Sequence, residues 1–106
     1  MALEALSALS QETRLDVFRL LVKAGRGGLS AGDISKTLEV RQNTMSTNLA
    51  ILTRAGLLKS VREGRSVRYM ADFDGMRSLL SFLMEDCCGG SPDACGPMLD
   101  EIVCAV

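Results

Sequence analysis

At 106 residues the chain has the size of one ordinary domain with room for a single modest core. Its 47% apolar content is broken into runs far shorter than the roughly 18 to 20 residues of a membrane span, and the start MALEALSALSQETR lacks the basic end and long apolar run of a secretory signal. A soluble, cytoplasmic protein without a membrane partner is therefore expected. The net charge of −1 hides an asymmetry: residues 1–35 balance, residues 36–70 hold seven bases against two acids (+5), and residues 71–106 hold one base against seven acids (−6). A basic middle suits a surface that meets phosphates, although on charge alone a solvated basic face stays open.

Taken in chain order, Leu3, Leu6 and Leu9 suggest a short N-terminal helix. Ser10 and Glu12 then begin a helical pattern, SQETRLDVFRLLVKAG, with Leu15, Phe18, Leu21 and Val22 on one face and Gly25, Gly27 and Gly28 at its end. Ser30 caps the next short helix, AGDISKTL, in which Ile34 and Leu38 point to a core. A turn through Glu39, Val40 and Arg41 leads to QNTMSTNLAILTRAG, where Met45, Leu49 and Leu52 recur at helical spacing and Gly56 supplies a left-handed stop. Two helices joined by a short turn make a helix-turn-helix. After Gly56 the period falls to two: LLKSVR and SVRYM read as a hairpin with Glu63, Gly64 and Arg65 at a basic tip. A last helix is expected from about Asp72 to about Asp86, striped by Met76, Leu79, Leu80 and Leu83 and widened by Phe73 and Phe82. That stripe and the N-terminal leucines exceed what a small monomer readily hides, which points to a dimer interface, although periodicity alone leaves an ordinary core helix open. The fold class is mainly α with a small β-hairpin (α+β), a winged helix-turn-helix.

With Met45, Leu49 and Leu52 turned inward, Gln42, Asn43, Thr44, Ser46, Thr47 and Asn48 are expected to look outward. None is charged, and short amides and hydroxyls are the groups that hydrogen-bond base edges and phosphates in a major groove. Arg62, Arg65 and Arg68 on the hairpin would add backbone contacts, which carry affinity without sequence information.

In LSQETRLDVFRLL, ISKTLEVRQNTMSTNLAILTRAGLL and VREGRSVRYMA the chain resembles the ArsR/SmtB family of bacterial winged-helix repressors over roughly residues 3 to 85. The resemblance implies a homodimer that binds an imperfect palindrome in double-stranded operator DNA and releases it when a toxic metal or metalloid binds. The family often has Arg then His where this chain has Thr47 and Asn48, so the operator sequence does not carry over.

All four cysteines lie in the last twenty residues, at 87, 88, 95 and 104. A cytosolic setting favours ligands or sensors over a permanent disulfide framework. The arsenic site of some family members is a CxC pair at the start of the recognition unit, which this chain lacks; the zinc sites of others need histidines, and this chain has none. A thiol-only cluster selects soft, thiophilic ions. No C-x2-4-C zinc knuckle is present, whereas trivalent arsenic or antimony needs only three sulfurs in a pyramid, and Cys87, Cys88 and Cys95 fit that demand. Adjacent cysteines can share an ion only where a helix ends, and Gly89 and Gly90 supply the end. Ser91, Pro92 and Asp93 form a turn that brings Cys95 back, and Pro97 starts a last short helix. The Cys-Cys-Gly run also resembles a subgroup of arsenic-responsive repressors. Cys104, beside Val103 and Val106, is a buried hydrophobe or a reserve ligand.

The expectation is thus an arsenite-responsive repressor with no required cofactor and trivalent arsenic or antimony as inducer. Residues 1–86 would bind DNA and dimerise, and residues 87–106 would hold the metalloid. A redox repressor, with Cys87 or Cys88 forming a disulfide to Cys95, is the alternative. A small thiol enzyme or metal carrier is a further one, although the chain has no CxxC motif, histidine base or other catalytic constellation.

Overall fold

The structure, a computed structural model, describes residues 2–85. Helix α1 (Ala2–Leu9) is followed by α2 (Glu12–Ala24), a 3-10 turn (Gly25–Gly27), strand β1 (Leu29–Ser30), α3 (Ala31–Leu38), α4 (Gln42–Arg54), strands β2 (Leu58–Glu63) and β3 (Ser66–Ala71), and α5 (Phe73–Leu83). The turn expected at Ser91, Pro92 and Asp93, the glycine pair at 89 and 90, the last short helix and Cys87, Cys88, Cys95 and Cys104 all lie outside the described residues.

Local chemistry accounts for most boundaries. The cap of α2 is Gln11 and not Ser10: the Gln11 side-chain oxygen accepts from the Arg14 N–H at 2.9 Å, while the Ser10 hydroxyl donates to the Ser7 carbonyl at 2.7 Å and closes α1. Ser30 caps α3 as expected, accepting from the Asp33 N–H at 3.1 Å. Glu39 is left-handed at φ 55° and ψ 47°, so the chain turns sharply between α3 and α4. Gly56, at φ +83°, lets the chain leave α4 for β2. Asp72 caps α5, its carboxylate accepting from the Gly75 N–H at 3.0 Å.

The core joins all five of these helices, α5 through Leu79, and the base of the sheet. Val17, Leu21, Ile34, Met45, Leu49, Leu52 and Leu57 are its fully buried side chains. The buried arc of α2 differs from the expected one: Val17, Phe18 and Leu21 form it, and Leu15 and Val22 are each 41% exposed. At 100° per residue the arc centres between Val17 and Phe18, which leaves Leu15 and Val22 roughly 100° from its middle.

The sheet also has a strand that alternation could not show. β2 and β3 pair antiparallel from Leu58↔Ala71 to Glu63↔Ser66, and the two residues of β1 add to the other edge of β3 through Leu29↔Tyr69 and Ser30↔Arg68. The strand order is β1-β3-β2. The helix α5 then returns against α1, and Gly75 lets its first turn pass close to the chain just after α4: a Cβ there would run into the Gly56 carbonyl.

Candidate nucleic-acid interface

The second helix of the helix-turn-helix, α4, presents Gln42, Asn43, Thr44, Ser46 and Thr47 to solvent, while Met45, Leu49 and Leu52 seat it in the core. Its start carries no side-chain cap, because Arg41 makes no capping hydrogen bond. The first-turn N–H groups thus keep their donor capacity towards an outside acceptor, apart from that of Thr44, which donates to the Asn43 side chain at 2.9 Å. The Thr47 hydroxyl donates back to the Asn43 carbonyl at 3.3 Å, which fixes its rotamer and leaves its lone pairs outward.

Asn48 departs from the expected pattern. It is 6% exposed and its side-chain oxygen accepts from Arg14 Nη1 at 3.3 Å, so it faces α2 and not solvent. The reason is angular: Asn48 lies between Met45 and Leu52 on the helical net and directly precedes Leu49, so it falls on the margin of the inward face.

The wing brings the arginines to different settings. Gly64 and Arg65 form a two-residue turn between Glu63 and Ser66, with Gly64 at φ 62° and Arg65 not at positive φ, the signs of a type II′ hairpin turn. Arg65 therefore projects from the tip, exposed, and Arg62 is exposed on the adjoining strand. Arg68 is held midway along the wing, opposite Val61: Nε donates to Glu63 Oε1 at 2.9 Å and Nη1 donates to the Gly27 and Gly28 carbonyls at 3.2 and 3.3 Å. Its expected place among free phosphate-facing cations gives way to a clasp between the wing and the turn after α2, made possible by the β1–β3 pairing that sets Ser30 opposite Arg68. Sequence reasoning also passed over Arg14, whose two side-chain bonds reach α1 and α4, and Arg41, exposed just ahead of α4. The arginine in QETRL carried no spacing signal, since its partners lie 6 and 34 residues away.

Among the described residues no group of three or more His, Cys, Asp or Glu side chains could hold a metal ion, and no helix is long and apolar enough to cross a membrane.

Comparison with known proteins gives this architecture a context. A helix-turn-helix domain family matches residues 9–61. The HTH-type transcriptional regulator YbzH of Bacillus subtilis is 32% identical over 93 residues, covering 76% of this chain and 93% of the relative. The transcriptional activator HlyU of Vibrio cholerae is 30% identical, covering 77% of this chain and 73% of its own. A Halobacterium salinarum protein named as the arsenical resistance operon repressor ArsR is 37% identical, covering 70% of this chain and 60% of its own.

Among solved structures, an ArsR-like transcriptional regulator from Rhodococcus sp. RHA1 superposes with a TM-score of 0.71 at 28% identity, covering 95% of this chain and 91% of the other. The homodimeric winged helix-turn-helix DNA-binding domain of Mb0332 from Mycobacterium bovis gives 0.63 at 26% identity, covering 78% and 77%. The antimony-specific transcriptional repressor AntR gives 0.59 at 25% identity, covering 74% and 70%. With its fold and its helix-turn-helix both matched, the chain belongs to the ArsR family of winged helix-turn-helix transcriptional regulators.

Proposed function

We propose that this chain is a metalloid-responsive repressor that binds double-stranded operator DNA as a homodimer and leaves it when trivalent arsenic or antimony binds Cys87, Cys88 and Cys95. The observation that carries the DNA half is the outer face of α4: five short uncharged polar side chains stand exposed beside a wing tipped with Arg65. Gln42, Asn43, Thr44, Ser46 and Thr47 read base edges, while Arg62 and Arg65 bond phosphates. Arg68 and Asn48 support these groups from behind, through the wing clasp and the Arg14 bond.

The dimer reading is supported by apolar surface on two helices. Leu3 is 81% exposed on α1 and Phe82 is 60% exposed on α5, with Leu6, Phe73, Leu80 and Leu83 also open to water. So much exposed apolar surface is unusual on a monomer, and the Mb0332 domain is a homodimer. Pairing two copies about a two-fold would set two α4 helices into successive major grooves, about 34 Å apart.

The inducer half rests on the donor set: four thiols, no histidine, and relatives that include repressors named for arsenical resistance and for antimony. Residues 1–86 then bind DNA and dimerise, residues 87–106 hold the metalloid, and no cofactor is required. Titrating the reduced dimer with arsenite, while following operator affinity and sulfur–arsenic absorbance together, tests the proposal. Expected is DNA release that tracks formation of the thiolate complex, lost in Cys87→Ser, Cys88→Ser and Cys95→Ser and kept in Cys104→Ser. Release by peroxide with indifference to arsenite would replace the metalloid site by a thiol redox switch.

A further inference from the structure

Arg14 ties three helices together. Its Nε donates to the Ala8 carbonyl near the end of α1 at 2.8 Å, and its Nη1 donates to Asn48 Oδ1 in the middle of α4 at 3.3 Å. The side chain stands on a fixed base, because the Gln11 cap of α2 is made to the Arg14 N–H itself. Its target is unusual: Asn48 and Ser35 are the buried polar residues among those described, and Asn48 sits next to the exposed Thr47 on the helix that carries the outward polar face.

Beyond this bond, α4 is seated in the core by the buried apolar side chains Met45, Leu49 and Leu52. Apolar burial is non-directional and resists small rolls or slides of a helix weakly. A guanidinium–amide bond is directional in distance and angle, so it fixes what the apolar seam leaves soft. It fixes it relative to α1, whose exposed leucines belong to the proposed dimer surface.

We propose that Arg14 is a positioning residue that couples the seating of α1 to the roll of α4, and so sets operator affinity without touching DNA. This rests on the reading that the chain binds operator DNA as a homodimer. A shift of α1 at the subunit interface moves the Ala8 carbonyl, the guanidinium follows, and Asn48 carries the displacement to the helix face that bears Asn43 and Thr47. A merely stabilising Arg14 would have no such consequence for DNA.

The two roles separate in a double variant. Arg14→Met keeps the aliphatic stem and removes the donors, but leaves the Asn48 amide buried without its partner, a change that costs stability by itself. Asn48→Leu removes the acceptor, and the double variant replaces the Arg14–Asn48 pair by an apolar one of similar volume, a change that is often nearly neutral for folding, so that only the bond to the Ala8 carbonyl is left unmade. Operator affinity, its salt dependence and the melting temperature are measured for the parent dimer, both single variants and the double.

Expected is a double variant that melts above Arg14→Met, because no buried amide is left unpaired, and still dimerises, yet binds the operator about tenfold more weakly than the parent, within the usual range of coupling between sites. Its loss should equal that of each single variant, with the salt slope unchanged. Parent-like DNA affinity in the double variant overturns the inference, since Arg14 would then only stabilise. Losses that multiply overturn it too, because Arg14 and Asn48 would act separately. A salt slope lower by about 1 also overturns it, by making Arg14 a phosphate contact. If the parent dimer itself ignores its operator, the DNA reading fails and not this coupling alone.

Discussion

Arg65 and Arg68 are three positions apart on one hairpin, and their surroundings give them different tasks. Arg65 stands exposed at the turn, whereas the Arg68 guanidinium is shared among the Glu63 carboxylate and two backbone carbonyls before β1. Replacing Arg65 by Ala should therefore weaken binding to every DNA sequence alike and lower the salt slope by about 1, with little effect on folding. Replacing Arg68 by Ala should leave the salt slope nearly intact and cost about 1 kcal/mol of stability through the two carbonyl bonds. The Glu63 ion pair adds little, because it is well exposed to solvent. Affinity against salt and urea denaturation of the two variants separate these outcomes; a reversed pattern would exchange the assignments. The composition of the α4 face was legible in the sequence because Met45, Leu49 and Leu52 fix which side is inward. Asn48 was not, because a residue on the margin of that side can turn either way, and the group that decides, Arg14, is 34 positions distant.

At the scale of elements, periodicity located all five helices, each of which turns side chains into the same core, and the hairpin was legible from its β-branched runs and the Gly64 turn, although only Leu58 and Ala71 of its strands are buried. It missed β1, as two residues cannot display an alternation, and the pairing that makes them a strand comes from β3, forty residues later. It also misjudged the inward arc of α2, where four apolar positions at helical spacing compete with Val17 and the packing partner chooses among them. The junction of α4, β2 and α5 shows how closely the elements are fitted. The Asp72 N–H donates to the Leu57 carbonyl at 2.8 Å, the Asp72 carboxylate caps α5, and Gly75 lies against the Gly56 carbonyl. Asp72→Ala should cost about 1 kcal/mol, the usual loss of an N-cap. Gly75→Ala should cost more, about 1 to 3 kcal/mol, although alanine is the better helix former, because the new methyl meets rigid backbone and α5 must move away. Urea denaturation of both variants checks the order. A Gly75→Ala protein as stable as the parent would mean that α5 is not held against the end of α4.

For the whole molecule, the proposed metalloid site follows α5 in the sequence, and its effect would have to reach α4, the helix proposed to read DNA. The C-cap of α5 is Met84, and Cys87 follows it by three positions in the sequence. If Cys87, Cys88 and Cys95 hold one ion as proposed, its binding would act a few residues in sequence after the helix that exposes Phe73, Leu80, Phe82 and Leu83. If that surface joins two subunits, its last turn helps set how they sit, and their relative seating sets the separation of the two α4 helices. Docking into successive major grooves tolerates little error in that separation. Couplings between sites are commonly about 1 to 3 kcal/mol, enough to change operator affinity roughly 5- to 150-fold. Linkage makes the effect reciprocal: whatever factor arsenite takes from DNA binding, operator DNA must take from arsenite binding. The expected result is thus a weaker arsenite affinity in the presence of saturating operator duplex than in its absence, by the same factor that arsenite imposes on the duplex. An unrelated duplex that the dimer does not bind should leave arsenite affinity unchanged. Equal affinities with and without the operator would show that the cysteines hold the ion without governing the DNA, and the sensor assignment would fall even though both ligands bind.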